Sequence, residues 1–380
     1  MDVVDRSERN GPSLNINRTL NSNPLVSNLS DVISTFRPTK LLRRDDVKDG
    51  RPQPHVLSMD FDDAGELLMT SASDETIQIY NVREGRHQKS LLSKKYGVKL
   101  AKFTHTSSSI IYASTKQNHA IRYLATHDNS FIRYFEGHDD NVTCLAVHPG
   151  TDNFISCSQD NSVRLWDTQT KHWQGQLLLR NPSLAAYDPS GTVFAIACPG
   201  SGTILLYDAR NYDKAPFATV DVVEQCRGID PQHVINGWTK LEFSNDGKSL
   251  LVGTKGNGHF LLDAFEGNLK AYLHMPGGGT RRPGEAATTI NGGAATNSTD
   301  ADCSGDCCFA PDGRFVISGR SSQDVLVWDT LRPTPENKMM EPSCTLPDKR
   351  PAAVVAFNPR FNFFATADED LVLWLPDPHV

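Results

Sequence analysis

Apolar strands separated by short polar turns recur along the whole chain. Each unit consists of an apolar strand, a tight turn, a second apolar strand, a small polar turn and a third strand. The third strand ends in a large apolar residue. The clearest unit is Val142–Asp167, which Gly137-His138 precedes and Trp166-Asp167 closes. Short apolar or alternating runs bounded by turn residues are typical of strands, so the pattern predicts an all-β protein built from a repeat.

The residues that end the third strands set the register of the repeat. They are Tyr80, Leu124, Trp166, Tyr207, Leu262, Trp328 and Trp374. Four of the six spacings between them, 44, 42, 41 and 46 residues, lie near the ~40–45-residue period of WD40 repeats, each of which makes the four strands of a propeller blade. Turns such as Asp62–Gly65 and Pro311–Gly313 supply hairpin chemistry between first and second strands. The sequence therefore predicts a seven-bladed WD40 β-propeller.

Closure of the ring needs a fourth strand for the last blade. Repeat seven ends at Leu371–Leu375, so its outer strand must come from elsewhere in the chain. We expect residues 32–42 to supply it, because an unpaired sheet edge invites aggregation. Pro38 is compatible with an edge strand and would not fit a central one. The expected fold is thus a propeller closed by an N-terminal strand.

Composition divides the chain into three kinds of segment. Residues 1–29 are rich in Asn and Ser and poor in apolar residues, which predicts a disordered leader. Residues 30–378 form the predicted propeller. Within it, residues 276–302 are rich in Gly, Ala, Thr and Asn and predict a flexible loop insertion that carries Arg281-Arg282.

Charge and hydropathy exclude several classes of function. The net charge of −7 does not support nucleic-acid binding through bulk charge. The chain has no apolar run long enough to predict a membrane span, and its N-terminus lacks the pattern of a secretory signal, so we place the protein inside the cell.

The cysteines predict neither disulfides nor a metal site. Five of them, Cys144, Cys157, Cys198, Cys307 and Cys308, fall in predicted strands, where free cysteine acts as a small buried hydrophobe. The cluster Cys303-x3-Cys307-Cys308 lacks a second ligand pair at zinc spacing. We predict no metal and no cofactor.

His138, Ser158, Asp160 and Trp166 combine the serine, histidine and acid of a hydrolase. We expect a structural role for them, because WD40 blades use these residue types in one buried hydrogen-bond network. No Gly-x-Ser-x-Gly turn surrounds Ser158 to expose a nucleophile. The chain is predicted not to be an enzyme.

Basic residues are predicted to cluster on one face of the propeller. Loops that enter the first strands share a face with the turns between second and third strands, and repeats seven, one and two are consecutive around a closed ring. The predicted basic arc comprises Arg43, Arg44, Arg51, Lys94, Lys95, Lys349 and Arg350. The loop that enters repeat three carries the opposite charge, on Glu136, Asp139 and Asp140. The arc suits an anionic ligand such as a phosphorylated peptide; the alternative is that these charges only keep the protein soluble.

Several segments resemble one WD40 family. They are Ile33–Pro38, Tyr134–His138, Pro216–Thr219, Leu241–Lys248, Asp263–Gly267, Phe357–Phe361 and Leu373–Pro376. They are similar to the WD40 subunit shared by COMPASS, the SET-domain complex that methylates lysine four of a histone tail, and by RNA 3′-end processing machinery, in fungi the cleavage and polyadenylation factor. The resemblance spans about residues 32–378 and excludes the leader and the 276–302 loop.

The resemblance implies a nuclear scaffold without catalysis of its own. Its implied partners are the SET-domain methyltransferase subunit, other COMPASS subunits, subunits of the cleavage and polyadenylation factor, and the phosphorylated tail of RNA polymerase II. The basic arc is our candidate for the phosphopeptide contact, and the resemblance itself assigns no residue to that contact.

Two other function classes remain open. Tyr207–Arg210 resembles the Trp-Asp-x-Arg box of substrate receptors for cullin-type ubiquitin ligases, and Asp329–Arg332 is a second partial match. Both segments are also compatible with ordinary third-strand ends. An enzyme would need a constellation of catalytic residues that the sequence does not display.

Overall fold

The chain folds into seven sheets, each with four antiparallel strands, as seen in a computed structural model that describes residues 28–44, 54–226, 229, 237–256, 258–276, 307–319 and 324–377. Each sheet is one propeller blade, so the predicted seven-bladed architecture is confirmed. Residues 1–27 of the predicted leader lie outside the described residues, as do Arg51 and all of the 276–302 insertion except Pro276.

In each blade, the strands follow one another from the channel outwards. Blade 1 contains β2 (Val56–Phe61), β3 (Leu67–Ala72), β4 (Thr76–Asn81) and β5 (Arg86–Leu92); blade 2, β6 (Lys99–Phe103), β7 (Ser109–Ala113), β8 (Ile121–Ala125) and β9 (Phe131–Phe135); blade 3, β10 (Val142–Val147), β11 (Asn153–Ser158), β12 (Ser162–Asp167) and β13 (Gly175–Leu178). Blade 4 contains β14 (Leu184–Tyr187), β15 (Val193–Cys198), β16 (Thr203–Asp208) and β17 (Ala218–Asp221); blade 5, β18 (Trp238–Phe243), β19 (Ser249–Thr254), β20 (Gly258–Asp263) and β21 (Leu269–His274). Blade 6 contains β22 (Cys307–Phe309), β23 (Phe315–Gly319), β24 (Asp324–Asp329) and β26 (Cys344–Pro347); blade 7, β27 (Val354–Phe357), β28 (Phe364–Ala367), β29 (Leu371–Pro376) and β1 (Phe36–Leu42).

Strand β1 closes the ring, as the sequence predicts. It pairs antiparallel with β29, from Phe36 opposite Pro376 to Leu42 opposite Leu371. The strand starts at Phe36, later than the predicted 32–42, because a short helix α1 (Leu29–Val32) and a 3-10 turn (Ile33–Thr35) precede it. The helical turn places Leu29 and Ile33 on one face, and both are buried in the core of blades 6 and 7.

Large residues at the ends of the third strands fill the space between neighbouring blades. All seven residues that set the register are buried, and Trp328 and Trp374 have no exposed surface. Trp374 stacks on Phe364 of the adjacent strand at 5.2 Å between ring centroids. Trp166 and Phe154 repeat the arrangement in blade 3 at 6.1 Å. The repeat period seen in the sequence is therefore the period of these packed layers.

The seam between blades 7 and 1 is held by the turn that joins β2 to β3. Gly65 in this turn has a φ of +67°, which favours glycine. A Cβ atom there would lie 2.4 Å from Asn358 Oδ1. The buried Asn358 donates a hydrogen bond from Nδ2 to the Gly65 carbonyl at 2.8 Å, and Arg360 Nε donates to the Asp63 carbonyl. A side chain on Gly65 would displace this contact between the first and last blades.

Blade 5 has a fifth strand that the sequence pattern does not predict. After β24 the chain runs back to blade 5, where β25 (Met339–Met340) pairs parallel with Tyr272 and Leu273 of β21. His274 Nδ1 and Glu341 Oε1 lie 2.9 Å apart beside this pairing. The outer edge of blade 5 is thus partly covered. A second short helix, α2 (Val222–Cys226), follows β17. Within the described ranges, no helix is long and apolar enough to cross a membrane.

Candidate functional site

The histidine network of blade 3 is closed and buried. His138 Nδ1 lies 2.9 Å from Asp160 Oδ2, and His138 Nε2 lies 2.7 Å from Ser156 Oγ. Trp166 Nε1 donates to Ser156 Oγ at 2.8 Å. These contacts fit a neutral imidazole that donates from Nδ1 to Asp160 and accepts at Nε2 from the Ser156 hydroxyl. The network therefore ties together the loop before β10 and the strands β11 and β12.

The prediction that Ser158 is the serine of this network is wrong. Ser158 Oγ donates instead to the Asp140 carbonyl at 3.0 Å and accepts from the Asp160 N–H at 3.2 Å. Ser156 and Ser158 are two positions apart in β11 and point to the same face, so alternation alone does not separate them. Ser158 lies at the strand end beside the turn, whereas Ser156 lies deep enough to meet both His138 and Trp166.

Ionisation in the network follows from burial and hydrogen bonding. Burial is the largest influence on His138 and lowers its pKa, which favours the neutral ring. Burial opposes ionisation of Asp160, but hydrogen bonds from Ser162, His138 and the Asp139 N–H outweigh it and lower the pKa of the carboxyl to about 2. Neutral His138 beside ionised Asp160 is a stable structural pair, and the Ser156 hydroxyl is enclosed by its partners.

Blades 6 and 7 contain partial copies of this network. In blade 7, Trp374 Nε1 donates to Thr366 Oγ1 at 2.9 Å, as Trp166 does to Ser156. In blade 6 the corresponding serine is Ser318, and His259 of blade 5 contacts its hydroxyl through Nε2 at 2.9 Å. His259 has no exposed surface, and burial lowers its pKa to about 3. His259, which lies in the third strand of blade 5, thus takes the place that the loop histidine His138 has in blade 3. An alignment of the repeats does not reveal this, because His259 and Ser318 belong to different repeats.

Two of the loops that carry the basic arc meet around one turn of blade 1. We call the face that bears the loops entering the first strands the upper face, and the opposite one the lower face. Lys94 and Lys95 lie between β5 and β6, while Arg43 and Arg44 directly follow β1. Arg44 contacts Asp74 in the β3–β4 turn at 2.9 Å, and the Ser93 N–H donates to the carbonyl of Glu75 in the same turn. The structure therefore brings the two loops together.

Two cations of the arc are paired with carboxylates. Besides the Arg44–Asp74 pair, Arg350 Nε lies 3.3 Å from Asp348 Oδ1, and the Asp348 side chain is 5% exposed. Arg43, Lys94, Lys95 and Lys349 are exposed. Sequence reasoning missed the two acidic partners, although the register already placed Asp74 in the turn of blade 1. Arg51 lies outside the described residues, so the structure does not locate it.

A cavity opens on the upper face, and Lys99 is the lysine that lines it. It has a volume of about 390 Å³ and lies between blades 1, 2 and 3. Polar residues around it include Ser73, Glu75, Lys99, Thr115 and Gln159. Glu136 and Asp139 of the loop that enters blade 3 are exposed. The upper face therefore carries exposed cations on the loops that enter blades 1, 2 and 7, and exposed carboxylates on the loop that enters blade 3.

The central channel contains a second cavity of about 520 Å³, nearer the lower face. Both lysines that line it form ion pairs: Lys102 Nζ lies 2.8 Å from Asp60, and Lys240 Nζ lies 3.5 Å from Glu242. Burial disfavours the charge of Lys240, but Glu242 raises the pKa of the ammonium above its usual value. The Asp60–Lys102 pair joins the first strands of blades 1 and 2. These contacts support a structural role for the channel charges.

The cysteines lie in the strands, as predicted. Cys144, Cys157, Cys198, Cys307 and Cys308 are buried in β10, β11, β15 and β22. Burial raises the pKa of Cys198 to about 11 and that of Cys308 to about 12, so both are protonated thiols at neutral pH. Cys303 lies outside the described residues.

The two segments that resemble ligase-receptor boxes are turns. Asp208 accepts hydrogen bonds from the Arg210 N–H and the Asn211 amide, and it thereby fixes the chain after β16. Asp329 is bound in two places by the Arg314 guanidinium and also accepts from the Leu331 N–H. These contacts match the alternative of ordinary third-strand ends.

Comparisons with known proteins agree with this architecture. The family model described as WD domain, G-beta repeat matches residues 49–81, 129–167 and 301–329. Set1 complex component swd2 of Schizosaccharomyces pombe is 32% identical, over 92% of this chain and 99% of its own length. COMPASS component SWD2 of Saccharomyces cerevisiae is 34% identical, over 91% of this chain and 99% of its own length. The chain belongs to the Swd2 family of WD40 proteins.

The similarity is not limited to fungal proteins. WD repeat-containing protein 82 of Drosophila melanogaster is 34% identical, over 92% of this chain and 96% of its own length. Because each of these alignments covers nearly all of both chains, the similarity concerns the complete propeller and not one blade. The resemblance stated from the sequence segments is thus confirmed as far as a WD40 subunit of the COMPASS type.

Proposed function

We propose that this chain is a non-catalytic scaffold subunit of a COMPASS-type complex that methylates lysine four of a histone tail. The observation that carries the proposal is the end-to-end similarity to two relatives named as components of the Set1 complex and of COMPASS. In this role the propeller holds the SET-domain methyltransferase subunit and other COMPASS subunits. Its place of action is chromatin in the nucleus. The buried histidine network supports a scaffold, since its polar groups bind one another.

We propose further that the chain serves in the mRNA cleavage and polyadenylation machinery and links both assemblies to the phosphorylated tail of RNA polymerase II. The resemblance of the sequence segments to the shared subunit motivates this part. A rigid ring suits such sharing, because separate blades and faces can hold separate partners. The cleavage and polyadenylation subunits would be protein partners, and no membrane or direct nucleic-acid contact is part of the proposal.

The exposed cations of the basic arc are the proposed contact for the phosphorylated tail. Lys94, Lys95 and Lys349 are exposed and carry their charge into solvent on the loops of the upper face. A charge-assisted hydrogen bond to phosphate contributes about 1.5–3 kcal/mol where water is partly excluded. Arg44 and Arg350 are bound to Asp74 and Asp348, so their first role is to hold the loops in place.

Affinity purification of the tagged chain from its own cells tests the scaffold role. We expect the SET-domain methyltransferase and cleavage and polyadenylation subunits to co-purify with it. Recovery of the methyltransferase alone would restrict the function to COMPASS. Recovery of a cullin-ligase adaptor without either set would overturn the proposal and direct mutation to Asp208 and Arg210.

A charge-reversal variant tests the basic arc. We expect K94E/K95E/K349E to weaken binding of a peptide with the polymerase-tail sequence, phosphorylated at the fifth heptad serine, by at least about tenfold in fluorescence polarisation. The matched control K171E/K214E/K248E reverses three cations away from the upper face and should bind normally. Equal affinity of both variants would exclude the arc as the contact.

A further inference from the structure

One threonine of the chain stands directly before a proline in an exposed connection of blade 6. Thr334-Pro335 is the only Ser-Pro or Thr-Pro pair in the 380 residues. It lies between β24 and β25, where residues 331–338 are exposed without interruption. This run is the longest exposed run among the residues that the structure describes. The pair therefore occupies a place that another protein can reach.

Two prolines favour an extended backbone around Thr334. Proline fixes its own φ and lacks an N–H group, and it restricts the residue before it to extended conformations. Pro333 and Pro335 therefore disfavour a helix, and the chain has neither helix nor strand between β24 and β25. Within the described residues, the Thr334 hydroxyl forms no hydrogen bond. Protein kinases bind the reacting segment of a substrate in an extended form, and this connection matches that requirement.

Hydrogen bonds hold the connection on both sides of Thr334. On one side, the Arg332 N–H donates to the Asp329 carbonyl at 3.1 Å, at the end of β24. On the other side, the Lys338 carbonyl accepts from the Tyr272 N–H of blade 5 at 2.7 Å. Thr334 thus lies in the middle of a connection whose ends are tied to blades 6 and 5. A group attached to Thr334 would be held at a defined place on the lower face.

A phosphate on Thr334 would reverse the charge of this connection. Residues 330–338 carry two cations, Arg332 and Lys338, and one anion, Glu336, which gives a net charge of +1. Phosphothreonine adds about −1.5 to −2 at neutral pH. Because all three charged side chains are exposed, a protein that contacts this connection would meet the change of sign directly.

Arg332 is the side chain best placed to bind such a phosphate. Residues two apart in an extended chain point to the same side, so Arg332 and Thr334 share one side. Arg332 Nε lies 4.0 Å from Asp329 Oδ2, and its side chain is 58% exposed. Asp329 is already bound at 2.7 and 2.6 Å by Arg314, which leaves Arg332 available. Glu336 lies beyond the extended part, in a turn. Arginine forms strong charge-assisted hydrogen bonds with phosphate.

We propose that Thr334 is a phosphorylation site for a proline-directed protein kinase, with ATP as the phosphoryl donor. The Thr334 oxygen attacks the γ-phosphorus of ATP, the bond from that phosphorus to the β–γ bridging oxygen breaks, and ADP leaves. The hydroxyl proton passes to a carboxylate of the kinase. Kinases of this class require the proline that follows the threonine. The site lies on the lower face and goes beyond the proposed function, which does not involve this connection.

Phosphorylation of the complete folded chain tests the site. The purified protein is incubated with Mg-ATP and either a mitogen-activated or a cyclin-dependent kinase, and mass spectrometry counts and locates the phosphate. The test variants are T334V and P335A. The matched control T39V removes an exposed threonine that follows a proline instead of preceding one. Circular dichroism and thermal melting establish that all variants fold.

We expect one phosphate per chain, on Thr334, in the wild type and in T39V, and its loss in T334V and in P335A. The same phosphopeptide should be present in the tagged chain recovered from its own cells in phosphatase inhibitors. Failure of both kinases to modify the folded chain, undiminished modification of T334V or P335A, or absence of the phosphopeptide from cells would each overturn the proposal.

Phosphorus NMR of the modified chain tests the contact with Arg332. We expect the phosphate to titrate at a lower pH in the wild type than in R332Q, because the guanidinium stabilises the dianion. For an exposed pair, the expected difference in pKa is a few tenths of a unit. The control K338Q removes the other cation of the connection and should change the pKa less. Identical titration of the wild type and R332Q would overturn the contact with Arg332.

Discussion

At the scale of single residues, the polar interior depends on which serine meets the histidine. Ser156 connects His138 and Trp166, and it leaves no unpaired polar atom between them. Ser158 instead orders the turn next to the strand end. Both serines point to the same side of the sheet, but Ser156 belongs to the buried network and Ser158 stabilises the turn.

We predict that S156A destabilises the protein by about 2–4 kcal/mol, because both the His138 acceptor and the Trp166 N–H would be left buried without partners. The control S158A should cost about 1 kcal/mol, since the groups it releases lie near solvent. Urea unfolding followed by tryptophan fluorescence measures both values. An S158A variant as unstable as S156A would contradict the assigned roles.

At this scale, the sequence reveals which residue types form the network, but not which of two serines takes part in it. The residue types of the network are visible in the sequence, and three of the four predicted members are correct. The choice between Ser156 and Ser158 requires depth along the strand, which the period of two does not encode. Arg44 and Arg350 were predicted as ligand-binding cations, and only the folded turn reveals the neighbouring carboxylates of Asp74 and Asp348.

At the scale of elements, β1 joins the two ends of the described chain in one blade. Its first residue, Phe36, is fully buried and stacks on Phe364 at 5.5 Å between ring centroids. Phe357 completes the cluster, with its ring centroid 6.3 Å from that of Phe36 and 6.0 Å from that of Phe364. Pairing with β29 alone would leave β1 a weak edge strand, so this aromatic cluster anchors the closure.

We predict that F36A lowers the free energy of unfolding by about 3–5 kcal/mol, because it leaves a buried cavity beside the rings of Phe357 and Phe364. Arg37 is exposed on the same strand, and R37A should cost less than about 1 kcal/mol. Chemical denaturation of both variants measures the difference. If F36A were no worse than R37A, closure would depend on the backbone pairing and not on the aromatic anchor.

Local sequence patterns predict the repeated strands, but they do not predict strand β25. Hairpin turns, the third-strand residues and the closing strand each follow from local patterns of two to six residues. Strand β25 has only Met339 and Met340, and it pairs with a blade to which its own repeat does not belong. A two-residue strand has no period to recognise, and its partner lies more than sixty positions away in sequence, at Tyr272 and Leu273.

At the scale of the whole molecule, two histidines with opposite pKa shifts, the buried His259 and the partly exposed His105, influence how stability varies with pH. His259 Nδ1 accepts from the Thr254 N–H at 3.1 Å, so this nitrogen has no room for a proton. His105 is the reverse case: Nδ1 lies 2.8 Å from Asp63 Oδ2 and Nε2 lies 2.8 Å from the His148 carbonyl. The hydrogen bond to Asp63 is the main reason that the pKa of His105 is raised.

The two shifts act in different pH ranges. The pKa of His259 falls to about 3 on folding, whereas an unfolded histidine titrates near about 6.5. The unfolded chain therefore binds a proton that the folded chain refuses below about pH 6.5, and stability falls as the solution becomes more acidic. His105 contributes stability that is present below about pH 6.5 and is lost as the pH rises through its raised pKa. Burial also lowers the pKa of His138, so His138 likewise makes the folded state less stable as the pH falls.

We predict that the free energy of unfolding is greatest near about pH 6.5 and falls on the acid side by about 1.4 kcal/mol per pH unit for each fully buried histidine. Urea titrations between about pH 5 and 8 measure this profile.

The variant H259Q should be less stable at every pH. Its stability should fall less steeply on the acid side, since it lacks one group that the unfolded chain protonates. H105N should flatten only the shallow decline above about pH 6.5, because His105 is partly exposed and its pair with Asp63 is weakened by solvent. An unchanged acid slope in H259Q would mean that the ring tolerates a charged His259, which is incompatible with an N–H donor directed at its Nδ1.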